Sequence, residues 1–140
     1  MSSFRSALLL IAAVATSYGA ESLAEIARWP DLVAQAKDFG VDYPAVVGRA
    51  ERGDTKSLHT VFSVTSHTDG SGATSHATVL RRLLERLGDR KFSGVLRTEP
   101  RNLRDLVIQQ IDFDFARPWK NAFPITYAIG SHDTSLLRGH

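Results

Sequence analysis

The feature that most constrains this fold is the helical spacing of apolar residues between positions 79 and 87. Val79, Leu80, Leu83, Leu84 and Leu87 recur at intervals of three or four, with charged residues between them. In an α-helix this spacing places all five on one side, which must be buried against other elements. Elsewhere the apolar runs are short, and no long stretch alternates as a strand does. The sequence therefore predicts an all-α fold.

Local signals divide the rest of the chain into short helices. Ser22 and Glu25 have the spacing of a capping box, and Pro30 disfavours helical backbone at Trp29, which should end this first helix. Later helices are predicted to begin at aspartates, which cap free N–H groups, and to end at glycines. The aspartates are Asp31, Asp42, Asp54 and Asp89, and the glycines are Gly40, Gly53 and Gly88.

A Gly-Asp pair recurs between helical segments, at Gly53-Asp54 and 35 residues later at Gly88-Asp89. Helix-pair repeats have similar periods, about 34 residues in the tetratricopeptide type and about 40 in the armadillo or HEAT type. The stretch AERGDTKSL resembles the turn of these α-repeat proteins, without their consensus aromatic positions. The resemblance implies short stacked helical hairpins, arranged as a solenoid or as an irregular bundle.

The N-terminus has the layout of a secretory signal peptide. Arg5 precedes an apolar run from Ala7 to Ala15, and small or polar residues follow. The run is too short to span a bilayer, which takes roughly 20 apolar residues. We therefore predict a signal peptide at 1–19, an α-helical domain at 20–115 and a C-terminal wrap and tail at 116–140, with no transmembrane segment after cleavage.

The chain contains no cysteine, which excludes disulfides, thiolate metal sites and a cysteine nucleophile. An exported domain without disulfides is more typical of the bacterial periplasm or exterior than of a eukaryotic secretory route. Secreted or periplasmic localisation is therefore predicted. Export and the lack of a recognisable nucleic-acid motif both argue against nucleic acid as a partner.

The C-terminal part is rich in aromatic residues, and two prolines, Pro118 and Pro124, interrupt any long helix there. We expect an extended segment that wraps across the helices and buries its rings. The alternative is an exposed aromatic platform for sugars or peptides. The five rings concerned are Phe113, Phe115, Trp119, Phe123 and Tyr127.

Charge is unevenly distributed although the net charge is only +2. Residues 81–104 carry eight cations and three anions, whereas residues 21–54 carry seven anions and four cations. A basic helix face can meet an anionic partner, or it can simply be a solvated surface. The predicted binding face consists of Arg81, Arg82, Arg86, Arg90 and Lys91.

The stretch SHTDGSGATSHA, residues 66–77, contains the residue types that most suggest a metal or catalytic site. His67, Asp69 and His76, with His59 as a further candidate, are residue types that bind zinc or another divalent metal in hydrolytic sites. Their spacing matches no metal motif, however, and Asp69-Gly70 is a common turn pair. The favoured interpretation is therefore a polar turn without a cofactor. Asp112 and Asp114 could be the two catalytic carboxylates of a glycosidase. We expect them instead to cap a helix end or to lie in solvent.

These observations favour a non-enzymatic binding domain whose ligand is a protein, a peptide or a cell-envelope component. A metal-dependent hydrolase that uses residues 66–77 is the first alternative. The second is a structural protein that self-associates, which predicts a mass in solution that depends on concentration.

Overall fold

The computed structural model describes residues 21–132, so the predicted signal peptide and the end of the predicted tail lie outside the described residues. Within this range the chain forms eight packed α-helices and one 3₁₀ turn, Thr65–His67, with no strand, which confirms the all-α prediction. The helices are α1 (Leu23–Ile26), α2 (Pro30–Asp38), α3 (Tyr43–Glu51), α4 (Thr55–Val64), α5 (Gly70–Leu87), α6 (Asp89–Leu96), α7 (Arg101–Asp114) and α8 (Pro124–Tyr127).

Several predicted helix boundaries are confirmed. The Ser22 hydroxyl accepts a hydrogen bond from the Glu25 amide, and the Glu25 carboxylate accepts one from the Ser22 amide at 2.9 Å. Asp54 caps α4 by accepting the Ser57 amide at 3.1 Å, and its hydrogen bonds with Ser57 hold the pKa of the Asp54 carboxyl below its usual value. Gly88 separates α5 from α6 at φ +86°, a conformation that strains other residues.

Other boundaries differ from the prediction because a tertiary contact or a proline supplies the helix start. Helix α2 begins at Pro30 with Trp29 as its N-cap, so Asp31 lies in the first turn. Helix α5 begins at Gly70, so most of the stretch predicted as a turn is helical. The Asp69 side chain does not cap α5, since it accepts a hydrogen bond from Gln35 of α2 at 2.9 Å.

Helix α5 is the centre of the molecule. Its predicted stripe is buried at Val79, Leu80, Leu83 and Leu84, and the helix packs against α1, α2, α3, α6 and α7. In a solenoid each unit contacts only its neighbours. Here helices from both ends of the described chain meet one central helix, so the architecture is a bundle.

The C-terminal segment, residues 115–132, buries most of the predicted rings. Trp119 is 3% exposed, and Phe115, Phe123 and Tyr127 pack against the core. The expectation for Phe113 was wrong, since it lies in α7 with 69% of its surface exposed. The expected extended conformation was also wrong, because the segment forms turns and the short helix α8.

Asp89 explains why α8 forms. It is the first residue of α6, and its carboxylate accepts the amide N–H groups of Ile125 at 2.9 Å and Thr126 at 2.8 Å. Partial burial opposes ionisation, but the hydrogen bonds from Thr126 and Ile125 keep the pKa of Asp89 below its usual value. The residue predicted to open its own helix therefore caps a helix that lies 35 residues further along the chain.

We expect Asp89→Ala to loosen the C-terminal segment and to lower the free energy of unfolding by about 1 kcal/mol, the usual cost of losing a helix cap. Asp89→Asn is the matched control, because its amide oxygen still accepts an N–H, and it should cost less. Hydrogen exchange at the Ile125 and Thr126 amides measures the effect. Unchanged protection in Asp89→Ala would contradict this role for the carboxylate.

Candidate binding cleft

An open cleft of about 720 Å³ lies between α5, the end of α7 and the first part of the C-terminal segment. This volume is within the range of small-molecule sites in proteins. Its walls combine charged side chains, aromatic rings and a short loop. The lining residues are Arg81, Glu85, Asp114, Phe115, Ala116, Arg117, Pro118, Trp119, Asn121, Ala122 and Phe123.

Arg81 forms the charged wall of the cleft. Its Nε donates to Asp114 of α7, its Nη1 donates to Glu85 one helical turn away, and its guanidinium carbon lies 5.7 Å from the centre of the Phe115 ring. Burial opposes the charge, but the bonds to Asp114 and Glu85 outweigh it and raise the pKa of Arg81. These two bonds use two of the five N–H donors of a guanidinium. Arg81 is thus held rigidly with donor capacity left for a ligand.

The aromatic side of the cleft is held in place from behind by Trp119. The Trp119 and Phe115 rings are stacked with their centres 5.4 Å apart, and the Phe123 ring lies 6.3 Å from that of Phe115. The Trp119 indole N–H donates to Asp112 at 2.8 Å. Trp119 is almost fully buried and supports the Phe115 ring, while Phe115 and Phe123 form the partly exposed apolar surface.

The rim of the cleft is formed by exposed residues of the loop between α7 and α8. Arg117, Asn121 and Ala122 are all exposed. The charges that line the cleft balance, because Glu85 and Asp114 are matched by two arginines. The cleft therefore offers hydrogen-bond donors and acceptors beside apolar rings. This combination suits an uncharged or zwitterionic polar ligand with an apolar face.

The structure divides the predicted basic face. Arg81 lies in the cleft, whereas the Arg82 guanidinium donates to the Glu21 carbonyl at 3.0 Å. Arg86 Nε lies 3.9 Å from a Glu51 carboxylate oxygen. Arg90 and Lys91 are exposed on α6, where Lys91 donates to the Thr55 hydroxyl at 3.2 Å. The basic segment thus partly faces the acidic N-terminal segment of the same chain.

The residues of the metal alternative point to different partners. The His67 ring stacks on Phe39 with centres 3.6 Å apart, and Asp69 is held by Gln35. His76 is fully buried. Within residues 21–132, no group of three His, Asp or Glu side chains is placed to hold a metal ion.

His76 belongs to a buried hydrogen-bond network. Its Nδ1 lies 2.6 Å from the Tyr43 hydroxyl, and its Nε2 lies 2.8 Å from the Thr65 hydroxyl. A hydroxyl can donate or accept, so a neutral imidazole satisfies both contacts. Burial lowers the pKa of His76 to about 3 and raises that of Tyr43 well above its usual value. Since no part of the His76 or Tyr43 side chain reaches solvent, the network serves the core.

The other acidic and histidine candidates are also apart from one another. His59 contacts Glu99 at 2.5 Å on the surface between α4 and the start of α7. Asp112 accepts from Trp119, whereas Asp114 accepts from Thr78 at 2.7 Å and from Arg81. The two aspartates therefore do not form the pair that a glycosidase needs across a cleft.

Comparison with known proteins finds no matching family, no matching curated protein and no matching solved structure. In the described part of the chain, no helix has the length and apolar character needed to cross a membrane.

Sequence reasoning missed most of the cleft. Arg81 and the aromatic segment were singled out separately, but neither the charge pattern nor the aromatic density indicated that they meet. The missing information is the packing of α7 on α5, which brings Asp114 to Arg81 across 33 positions of the chain. The only local signal for this contact is an acidic residue at the end of an amphipathic helix. Such residues are common, so the signal does not indicate a cleft.

Proposed function

We propose that this chain is an exported α-helical binding domain, and that its ligand is a peptide or cell-envelope component held in the cleft. The observation that carries the proposal is the juxtaposition of a rigid guanidinium with two partly exposed rings. Arg81 is fixed by two carboxylates, and Phe115 and Phe123 lie beside it. Sites of this kind, apolar with a few fixed polar groups, are typical of small-ligand binding.

The proposal moves the binding site from the predicted basic helix face to the cleft. Of the five predicted cations, Arg81 is the one that lines the cleft. Arg86, Arg90 and Lys91 lie on exposed helix surface, where isolated charges contribute little to affinity. The two locations make different predictions for charge reversal, so one experiment distinguishes them.

The test uses two uncharged probes, an oligomer of N-acetylglucosamine and an acetylated, C-terminally amidated tetrapeptide containing one phenylalanine and one asparagine. We expect at least one to shift the NMR signals of the Ala122 amide and the Trp119 indole, with a Kd below about 1 mM. Ala122→Trp should weaken binding at least about tenfold, because the added ring fills the cleft.

Arg86→Glu is the matched control, since it reverses an exposed cation outside the cleft. We expect its Kd to stay within about twofold of the unchanged protein. Weaker binding by Arg86→Glu than by Ala122→Trp would indicate that the ligand binds to the basic helix face and not in the cleft. If neither probe shifts the cleft signals, the proposed ligand classes are wrong.

A further inference from the structure

His132 attaches the C-terminal segment to α7. Its Nδ1 lies 2.6 Å from a carboxylate oxygen of Asp112, and its Nε2 lies 2.7 Å from the carbonyl oxygen of Tyr127. The His132 and Tyr127 rings are stacked with centres 3.7 Å apart, and the edge of the Trp119 ring is nearby, with centres 6.0 Å apart. One imidazole thus joins α7, α8 and the turn that carries Trp119.

Both hydrogen-bond partners of His132 are acceptors. A carboxylate and a carbonyl have no proton to donate, and a neutral imidazole has a single N–H. The neutral ring can therefore make only one of these contacts, and its other nitrogen would present a lone pair to an oxygen less than 3 Å away. Only the imidazolium, with two N–H groups, completes both hydrogen bonds.

The surroundings of His132 are defined by three elements. Helix α7 presents the carboxylate of Asp112 to His132. A second carboxylate of α7, that of Asp105, accepts the amide N–H of the preceding residue, Ser131, at 2.8 Å. Helix α8 presents the ring and carbonyl of Tyr127, and the turn presents the Trp119 indole, which donates to the other oxygen of Asp112. The His132 side chain is 27% exposed, so protons of the solvent reach it.

We propose that His132 is a proton-dependent latch of the C-terminal segment, closed when the imidazole is protonated and released when it loses the proton. The segment is held at acidic pH and loosens as pH rises, because the neutral imidazole can donate to only one of its two acceptors. Losing one of two hydrogen bonds should raise the opening equilibrium constant about tenfold.

The latch has a consequence for the cleft, which rests on the function proposed above. Trp119, Phe115 and Phe123 form the aromatic side of the cleft, and Trp119 shares Asp112 with His132. Release of the segment would therefore open the cleft wall and weaken ligand binding. The latch itself requires no ligand, so a failure of the binding test leaves it unaffected.

The test follows quenching of Trp119 fluorescence by acrylamide in the full chain carrying Trp29→Phe, which leaves Trp119 as the single tryptophan. We expect quenching to be greater at about pH 8.5 than at about pH 5.5. His132→Gln in the same background should show, at every pH, at least the quenching that the parent reaches at alkaline pH. A flat profile in the parent protein, or an unchanged slope in His132→Gln, would overturn the latch.

Asp112→Asn gives a second test that does not require removal of the histidine. The new amide can donate to Nδ1 while its oxygen still accepts the Trp119 indole, so a neutral imidazole would satisfy both of its contacts. The closed state should then persist to alkaline pH. His59→Gln is the matched control, since it removes another carboxylate-paired histidine on a different surface, and its profile should equal that of the parent. Release of Asp112→Asn at the parental midpoint would overturn the proposal.

Discussion

Acidification from about pH 6.5 to about pH 4.5 should lower the free energy of unfolding through His76 by roughly 2–3 kcal/mol. The imidazole is fully buried, and burial lowers its pKa to about 3 from a value near 6.5 in the unfolded chain. Between these two values the unfolded state binds a proton that the folded state does not bind. Stability is therefore complete above the unfolded value and falls as pH decreases.

The magnitude follows from the linkage between protonation and folding. Each pH unit inside this window changes stability by up to about 1.4 kcal/mol for one proton. The shifts of Asp54 and Asp89 act at lower pH, because their pKa values lie below those of ordinary carboxyls. Other histidines are present in the chain, so urea unfolding at several pH values from about 4.5 to 7.5 is compared between the unaltered protein and a variant that lacks His76.

His76→Gln provides the comparison that assigns this effect. Glutamine is neutral throughout, so the variant should lose the part of the slope that His76 causes, and the difference between the two proteins reports His76 alone. At neutral pH the variant should be less stable by about 1–3 kcal/mol, because the hydroxyls of Tyr43 and Thr65 lose a fitted partner. His59→Gln, at a partly exposed position, should keep the slope. An unchanged slope in His76→Gln would contradict the buried neutral imidazole.

The two histidine predictions have opposite signs. Protonation of His76 destabilises the core, whereas protonation of His132 holds the C-terminal segment in place. Global unfolding and local quenching of Trp119 should therefore respond oppositely to pH in the same protein. A non-specific destabilisation at low pH would change both measurements in the same direction, so it could not explain both results.

Trp119→Ala should lower the free energy of unfolding by about 3–5 kcal/mol, the usual cost of deleting a buried tryptophan. Its ring packs on Phe115, on Tyr127 at 5.0 Å between centres and on His132, and its indole N–H is bonded to Asp112. A small domain has only about 5–15 kcal/mol of stability in total. The change should therefore also release the C-terminal segment from the helices.

Two controls separate this effect from a general loss of aromatic surface. Phe113→Ala removes a ring that is 69% exposed and should change stability by less than about 0.5 kcal/mol. Trp119→Phe keeps most of the packing and loses the hydrogen bond, so it should fall between the two. Urea unfolding gives the three values. A loss below about 1 kcal/mol in Trp119→Ala would mean that the segment does not belong to the core.

The helical class and several helix ends were predictable because they depend on residues close together in the chain. The capping box at Ser22 and Glu25 spans three residues, and the stop at Gly88 depends on one residue that tolerates positive φ. The apolar stripe from Val79 to Leu84 also lies within two turns of helix. Signals of this kind are local, and sequence alone contains them.

Tertiary structure decided the contacts that join distant positions. Asp89 accepts the α8 amides, Gln35 donates to Asp69 beside the start of α5, and Arg81 meets Asp114. Packing also placed His76 in the core, where hydroxyls from α3 and from the 3₁₀ turn satisfy it, and left Phe113 in solvent. A polar side chain can be satisfied equally well by a local cap or by a distant partner, and packing selects between them. The sequence by itself therefore determined which segments are helical, while packing around α5 determined which polar groups meet and where the cleft lies.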